Sequence, residues 1–307
     1  MIYKFIKGNI IKKLLIKLLS VFLSMHIVYA KNTSSKCFPM PSSDGLVIVL
    51  PIYNNSDDSI GFTSNQRLIA DKIISVFENS TTTLRYEYAE HIVSDQHGIT
   101  AGRAGFTSAT GDMLMVIARY VAIKPTNNLL APYIGELKRL NEIYANNDYE
   151  LSSEGANVEN LNGLTDDWNL SANDSVFRKI QDEVVDELYF NPALEEARNI
   201  GAKLPITLLN MYDAGIQHGL DGVRDIVNQI SLAQPKDGGD EIDWLKAFNA
   251  IRLDVMLNTI VDGDTIWVDS IYRQHELVDM IEDGNYNIDP FTMIIEDWGN
   301  EEFELSL

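Results

Sequence analysis

From Ser64 to Gly284 apolar residues recur at three- and four-residue spacing in segment after segment, and two stretches break that rhythm. This periodicity belongs to amphipathic helices packed on a common core. Leu68, Ile69, Ile73, Ile74 and Phe77 form the first stripe behind Ser64, read as the N-cap, and the helix is predicted to end near Glu78-Asn79-Ser80. Thr110 is read as the cap of a second helix, with Asp112 in its first turn and a stop at Lys124-Pro125. Further helices are expected over 130–144, from Asp174 through Tyr189, over 192–198, over 204–217 with Gly219 as the stop, over 240–258, and over 264–282 with Gly284 as the stop. One exception is 81–109, rich in Thr, Tyr and Ile, which reads as short strands with tight turns; the other is the polar, Asn-rich stretch over 145–173, which reads as a loop. The fold class is therefore mainly α (α+β), with one small sheet placed early.

Charge narrows the function. The 307 residues carry 45 acids against 24 basic residues, a formal charge of −21, which speaks against sequence-independent nucleic-acid binding. The single cysteine, Cys37, excludes a disulfide framework. The first 30 residues hold five lysines and no acid, then an apolar run over 18–28, then Val28-Tyr29-Ala30 with small residues at the −3 and −1 positions. That order reads as a secretory signal, and the apolar run is short of the ~20 residues a bilayer span needs. Its removal would take the charge from −21 to −26. The organisation expected is a signal over 1–30, a linker over 31–60 and one catalytic unit over 61–307, secreted, monomeric and free of the membrane once cleaved. Neither a metal nor a cofactor is expected: His218 reads as a packed or capping histidine, and Asp262-Gly263-Asp264 lacks the further ligands of a calcium loop. The acids at Glu296, Asp297, Glu301, Glu302 and Glu304 read as a solvated end.

Two carboxyls carry the candidate chemistry. Glu78 ends a helix, where the helix dipole and burial beside Phe77 both disfavour ionisation. Asp95 follows 17 residues later in a predicted β-loop, among polar Ser94, Gln96 and His97, and is expected to stay ionised. A protonated acid facing an ionised base suits glycosidic bond cleavage. By spacing alone, the pair reads more simply as two solvated charges in an acid-rich chain.

The motifs around them are more specific. Ile74-Ser75-Val76-Phe77-Glu78-Asn79-Ser80-Thr81, Tyr86-Glu87-Tyr88-Ala89-Glu90, the run from Gly98 to Thr107, and Thr110-Gly111-Asp112-Met113-Leu114 follow one another in order. Later come Phe177 to Asp182, Tyr189, Asn191-Pro192-Ala193, Tyr212-Asp213-Ala214, Gln217-His218-Gly219, Phe248 to Arg252, Val268-Asp269 and Gly284-Asn285-Tyr286. The chain from about residue 64 onward resembles the chitosanases of glycoside hydrolase family 46. The resemblance implies a two-lobed lysozyme-like fold, with the small sheet in the N-terminal lobe and a cleft between the lobes. It implies endo-hydrolysis of β-1,4-linked glucosamine polymers with inversion. On it, Glu78 matches the general acid, Asp95 the general base and Thr100 a threonine that helps hold the attacking water. Asp112 matches an acidic residue of the substrate cleft, and Tyr86 and Tyr88 are candidate sugar-facing rings. Arg252 and Asp182 match members of a buried charge network behind the acid.

The chain also departs from the pattern. Where the family usually has Asp-Gly-Arg-Gly, this sequence has Asp95-Gln96-His97-Gly98, so His97 stands where an arginine would support the loop. Trp267 precedes Val268-Asp269 where the family often has an arginine, which predicts a depleted network. The partner expected is chitosan or its oligosaccharides. The rival readings are a related muramidase and a non-catalytic binder of polycationic glycans.

Overall fold

The computed structural model describes residues 60–307 apart from 92, 94, 95, 262, 263 and 266. The expected signal, Cys37, nearly all of the 31–60 segment, Asp95 and the Asp262-Gly263 turn therefore lie outside the described residues.

Helix α1 (Ser64–Asn79) begins as a capping box, with Thr63 rather than Ser64 as its cap. The Thr63 hydroxyl accepts from the Gln66 N–H at 3.3 Å, and the Gln66 side chain accepts from the Thr63 N–H at 2.9 Å. Strands β1 (Ala89–His91), β2 (Ile99–Ala101) and β3 (Phe106–Thr107) make an antiparallel sheet in chain order, with Thr100 opposite Glu90 and Thr107. Helix α2 (Asp112–Ile123) is capped by Gly111, while the Thr110 hydroxyl donates to Asp112 instead. Helices α3 (Ile134–Asn146), α4 (Leu164–Ser171) and α5 (Ser175–Val185) follow; α4 lies inside the stretch read as a loop, where Leu164 and Trp168, one helical turn apart, are buried. A π-turn over Asp186–Phe190 leads from α5 into α6 (Asn191–Asn199).

Helix α7 (Pro205–Gln229) is the centre of the fold. Every residue from Ile206 to His218 is buried, so this stretch has no solvent face at all. It packs on α6, on α1 and on α8 (Glu241–Asn258). A helix enclosed on all sides needs apolar residues all round, yet Asn210, Asp213 and Gln217 form a polar stripe along it. The expected stop at Gly219 is a break instead: Gly219 has φ 70° and ψ 169°, and the helix resumes because Val223 and Ile226 still reach the core.

The predicted helix over 264–282 begins only at Tyr272. Residues 264–265 form β5 (Asp264–Thr265), paired with β4 (Ile260–Val261), and a single 3-10 turn over Val268–Ser270 precedes α9 (Tyr272–Glu282). The acidic end is a hairpin of β6 (Phe291–Ile295) and β7 (Glu301–Leu305). Phe303 and Leu305 point inward and Glu302 and Glu304 outward, so the charges are solvated, but on an ordered strand of period two. The hairpin packs on α9 and on α1, and Lys72 donates to the Ser306 carbonyl at 2.5 Å. Buried apolar side chains form one continuous core from Ile60 to Leu305. No helix among the described residues is long and apolar enough to cross a membrane.

This end of the molecule stores a pH response. Glu276 on α9 is buried at 8% exposure and faces Asp279, Asp297 and Glu296; burial first, and those charges next, push its carboxyl up to about 7. The folded protein thus holds a proton that the unfolded chain releases near pH 4.3. Stability from this group is complete below that pH and is lost as pH rises through about 7. Glu276→Gln is expected to stabilise the protein at pH 8 by about 1–2 kcal/mol and to give no gain at pH 4, as read by thermal unfolding at the two pH values.

Candidate active site

Glu78 lies in the last turn of α1 and is only 4% exposed. Its Oε1 accepts from the Arg273 Nη1 at 2.5 Å. Its Oε2 is buried and has no hydrogen-bond partner among the described residues. Burial raises the Glu78 carboxyl above its ordinary range, and Arg273 opposes this without cancelling it. A guanidinium can only donate, so a proton on this carboxyl belongs on Oε2. The site therefore holds a carboxyl that burial pushes toward its neutral form, with its second oxygen not engaged by the surrounding described residues.

Arg273 is the first link of a buried chain of charges. Its Nη2 donates to Asp213 Oδ1 at 2.6 Å, and Asp213 Oδ2 accepts from Arg252 Nη2 at 2.6 Å. Both arginines and Asp213 are fully buried. Burial alone would raise the Asp213 carboxyl, but Arg273 and then Arg252 hold it below the ordinary carboxylate range. Arg252 also donates to Gln217 at 2.6 Å, and Gln217 donates to Ser270 at 2.8 Å. The Nε of Arg252 donates to His218 Nε2 at 3.3 Å. Burial first, then the two arginines, keep His218 well below its usual pKa, so it is a neutral packed histidine against the Trp267 ring, 4.5 Å away.

Arg252 thus connects to Glu78 through Asp213 and Arg273, while Asp182 does not. Asp182 accepts from Arg103 at 2.6 Å and from the Tyr86 hydroxyl at 2.9 Å. Arg103 continues to Asp71 at 2.9 Å, and Asp71 pairs with Arg67 at 3.0 Å. This is a second network, fastening α5 and the sheet to α1. A guanidinium reaches Glu78 although Trp267 stands where an arginine was expected. Trp267 packs on His218, and the guanidinium that touches Glu78 comes from Arg273, six residues further on. Arg273 was missed because it lies on a buried face of α9 beside Tyr272, Leu277 and Met280, where its own sequence neighbours look like core. The legible signal was the polar stripe of α7: an aspartate fully enclosed by helices requires cationic partners.

On the sheet side, Thr100 is buried at the middle of β2. Gly98 has φ +72°, and a Cβ there would lie 2.3 Å from the Ser108 hydroxyl oxygen. That hydroxyl accepts from the Ile99 N–H at 2.9 Å and holds the turn closed. His97 is buried at the same turn, and its carbonyl accepts from Ala109 at 3.3 Å. Asp112 Oδ1 accepts from the Thr107 N–H at 2.8 Å, the Thr110 hydroxyl at 2.9 Å and the Met113 N–H at 2.8 Å. Burial nonetheless pushes its carboxyl up to about 6, with those bonds and nearby His97 pulling the other way. Tyr86 is committed to structure: its hydroxyl serves Asp182, and its carbonyl accepts from Trp168 Nε1 at 3.0 Å and Gln181 at 3.1 Å. Tyr88 is half-buried and donates to Glu90 at 3.0 Å. Asp95 lies outside the described residues. Among the described residues, no group of three or more His, Cys, Asp or Glu could hold a metal ion.

Fold and site together place the chain among the lysozyme-like glycoside hydrolases. The family model of glycosyl hydrolase family 46 matches residues 72–290. A chitosanase of Bacillus subtilis (strain 168) is 36% identical over 250 residues, covering 78% of this chain and 86% of the relative. The family 46 chitosanase of Gynuella sunshinyii, solved in complex with chitotetraose, is 40% identical. It superposes with a TM-score of 0.68 over 80% of this chain and all of its own. A chitosanase of Bacillus subtilis MY002 complexed with 6 GlcN is 35% identical at the same TM-score, over the same shares of the two chains. The chain belongs to glycosyl hydrolase family 46.

Proposed function

We propose that this chain is a secreted, endo-acting chitosanase that inverts the anomeric centre, with Glu78 as general acid and Asp95 as general base. Hydrolysis of chitosan follows from its family and relatives. The observation that carries the assignment of the acid is the division of labour on Glu78. Arg273 engages Oε1, which leaves Oε2 to hold the proton. In the reaction Glu78 gives that proton to the glycosidic oxygen as the bond to the anomeric carbon breaks. Asp95 takes a proton from the water that attacks the opposite face of the sugar, and Thr100 helps hold that water. The proton lost from Glu78 is then restored from solvent. Asp112 and Tyr88 contribute to the substrate cleft, where carboxylates meet the ammonium groups of the polymer. A net charge of −26 after signal removal draws such a polycation in.

The test is anomer-resolved proton NMR of a glucosamine hexamer incubated with the mature protein. New α-anomer ends should appear before mutarotation equilibrates them. Initial β-anomer ends would overturn inversion. An intact hexamer with tight binding would identify a non-catalytic binder, and release of cell-wall fragments without chitosan cleavage would identify a muramidase.

A further inference from the structure

Two consecutive residues of α9 grip two consecutive residues of α1. Arg273 holds the side chain of Glu78 at 2.5 Å, and the Tyr272 hydroxyl donates to the carbonyl of Phe77 at 2.7 Å. That carbonyl lies in the last turn of α1, where carbonyls lose their helical partners and must find others. Val76 is served by the Ser80 N–H; Phe77 is served by the phenol. The peptide that Tyr272 fixes is the one that leads into Glu78, so it sets where the Glu78 side chain starts.

The phenol is itself held from behind. The Tyr272 ring meets Phe77 edge-on at 6.1 Å and lies 4.7 Å from the Trp298 ring, which meets Phe303 edge-on at 5.9 Å. Trp298 and Phe303 belong to the C-terminal hairpin, past residue 290 where the family match ends. A run of rings therefore joins that hairpin to the residue before the acid.

We propose that Tyr272 is a positioning residue for the acid, holding the end of α1 so that Glu78 stays buried against Arg273, with the C-terminal hairpin as its buttress. This rests on Glu78 being the general acid. The charged and titratable groups that act on Glu78 are Arg273 from α9 and Asp213 from α7, and the Tyr272 hydroxyl feels the charge of all three. Burial is the largest influence on the Glu78 carboxyl. Loosening the end of α1 admits water and moves that carboxyl back toward its ordinary range.

The experiment compares Tyr272→Phe, Trp298→Phe and Glu78→Gln with wild type for kcat, KM, the pH profile of kcat, and thermal stability. Tyr272→Phe keeps the ring and removes only the hydroxyl. It is expected to lower kcat about tenfold, to leave KM within about twofold, and to move the basic limb of the profile to lower pH. Trp298→Phe keeps the hydroxyl and weakens the buttress, and should move the limb in the same direction by less. Lower melting temperatures with wild-type kcat and an unmoved limb in both variants would overturn the proposal and leave Tyr272 a purely structural residue. If Tyr272→Phe does not fold, an unmoved limb in Trp298→Phe is sufficient to overturn it. Retained turnover in Glu78→Gln would overturn the acid assignment itself, a result distinct from either.

Discussion

Glu78→Gln is expected to abolish chitosan cleavage, with kcat lowered by at least about 10³-fold, while the protein stays folded and binds substrate. The amide keeps a carbonyl oxygen where Oε1 accepts from Arg273, so the contact at 2.5 Å survives. What disappears is the transferable proton on the other atom. The same reasoning predicts the wild-type profile: activity needs the protonated acid, and burial raises that carboxyl, so the basic limb should lie above the ordinary glutamate range. The check is the initial rate of new reducing ends across pH, with circular dichroism and thermal unfolding confirming the fold. Turnover within tenfold of wild type would remove Glu78 from the role of acid.

Asp213→Asn is expected to damage both stability and catalysis. Asp213 is the carboxylate that bridges Arg252 and Arg273, bonded to each at 2.6 Å with no exposure. Asparagine offers one acceptor oxygen and presents an NH₂ group to the other guanidinium, which can only donate. Two buried cations then lose their shared counter-charge, and breaking a buried pair in this way costs about 3–5 kcal/mol. Catalysis suffers through Glu78. The Asp213 charge helps to keep the Glu78 carboxyl raised, so its loss leaves Arg273 favouring the ionised form unopposed by that charge. Activity should fall more steeply at higher pH than at lower pH. Denaturant titration measures the first effect and the pH profile of kcat the second; equal losses at all pH values would show that Asp213 has no influence on the proton of Glu78.

Much of this protein was legible before any coordinates. The helical periodicity from Ser64 onward, the strand-like exception over 81–109 and the order of the motifs determined the fold class and the family, because burial of an amphipathic face depends on spacing along the chain. Glu78 at a helix end was legible for the same reason: helix termini are local events. Local signals misplaced the caps by one residue, at Thr63 for Ser64 and at Gly111 for Thr110, and took Gly219 for a stop when it is a break. They read the acids at the end of the chain as solvated, which they are, but not the ordered hairpin that Phe303 and Leu305 hold to the core.

Only the tertiary structure decided which charges meet. Asp182 and Arg252 both looked like partners of the acid, yet one serves Arg103 and Tyr86 and the other reaches Glu78 through Asp213 and Arg273. Glu78 and Arg273 are 195 residues apart, and no periodicity carries information over that distance. Their pairing exists because α1, α7, α8 and α9 close around one another and exclude water. Exclusion of water, in turn, is what makes a glutamate hold its proton, and it is a property of the packed molecule rather than of any segment of its sequence.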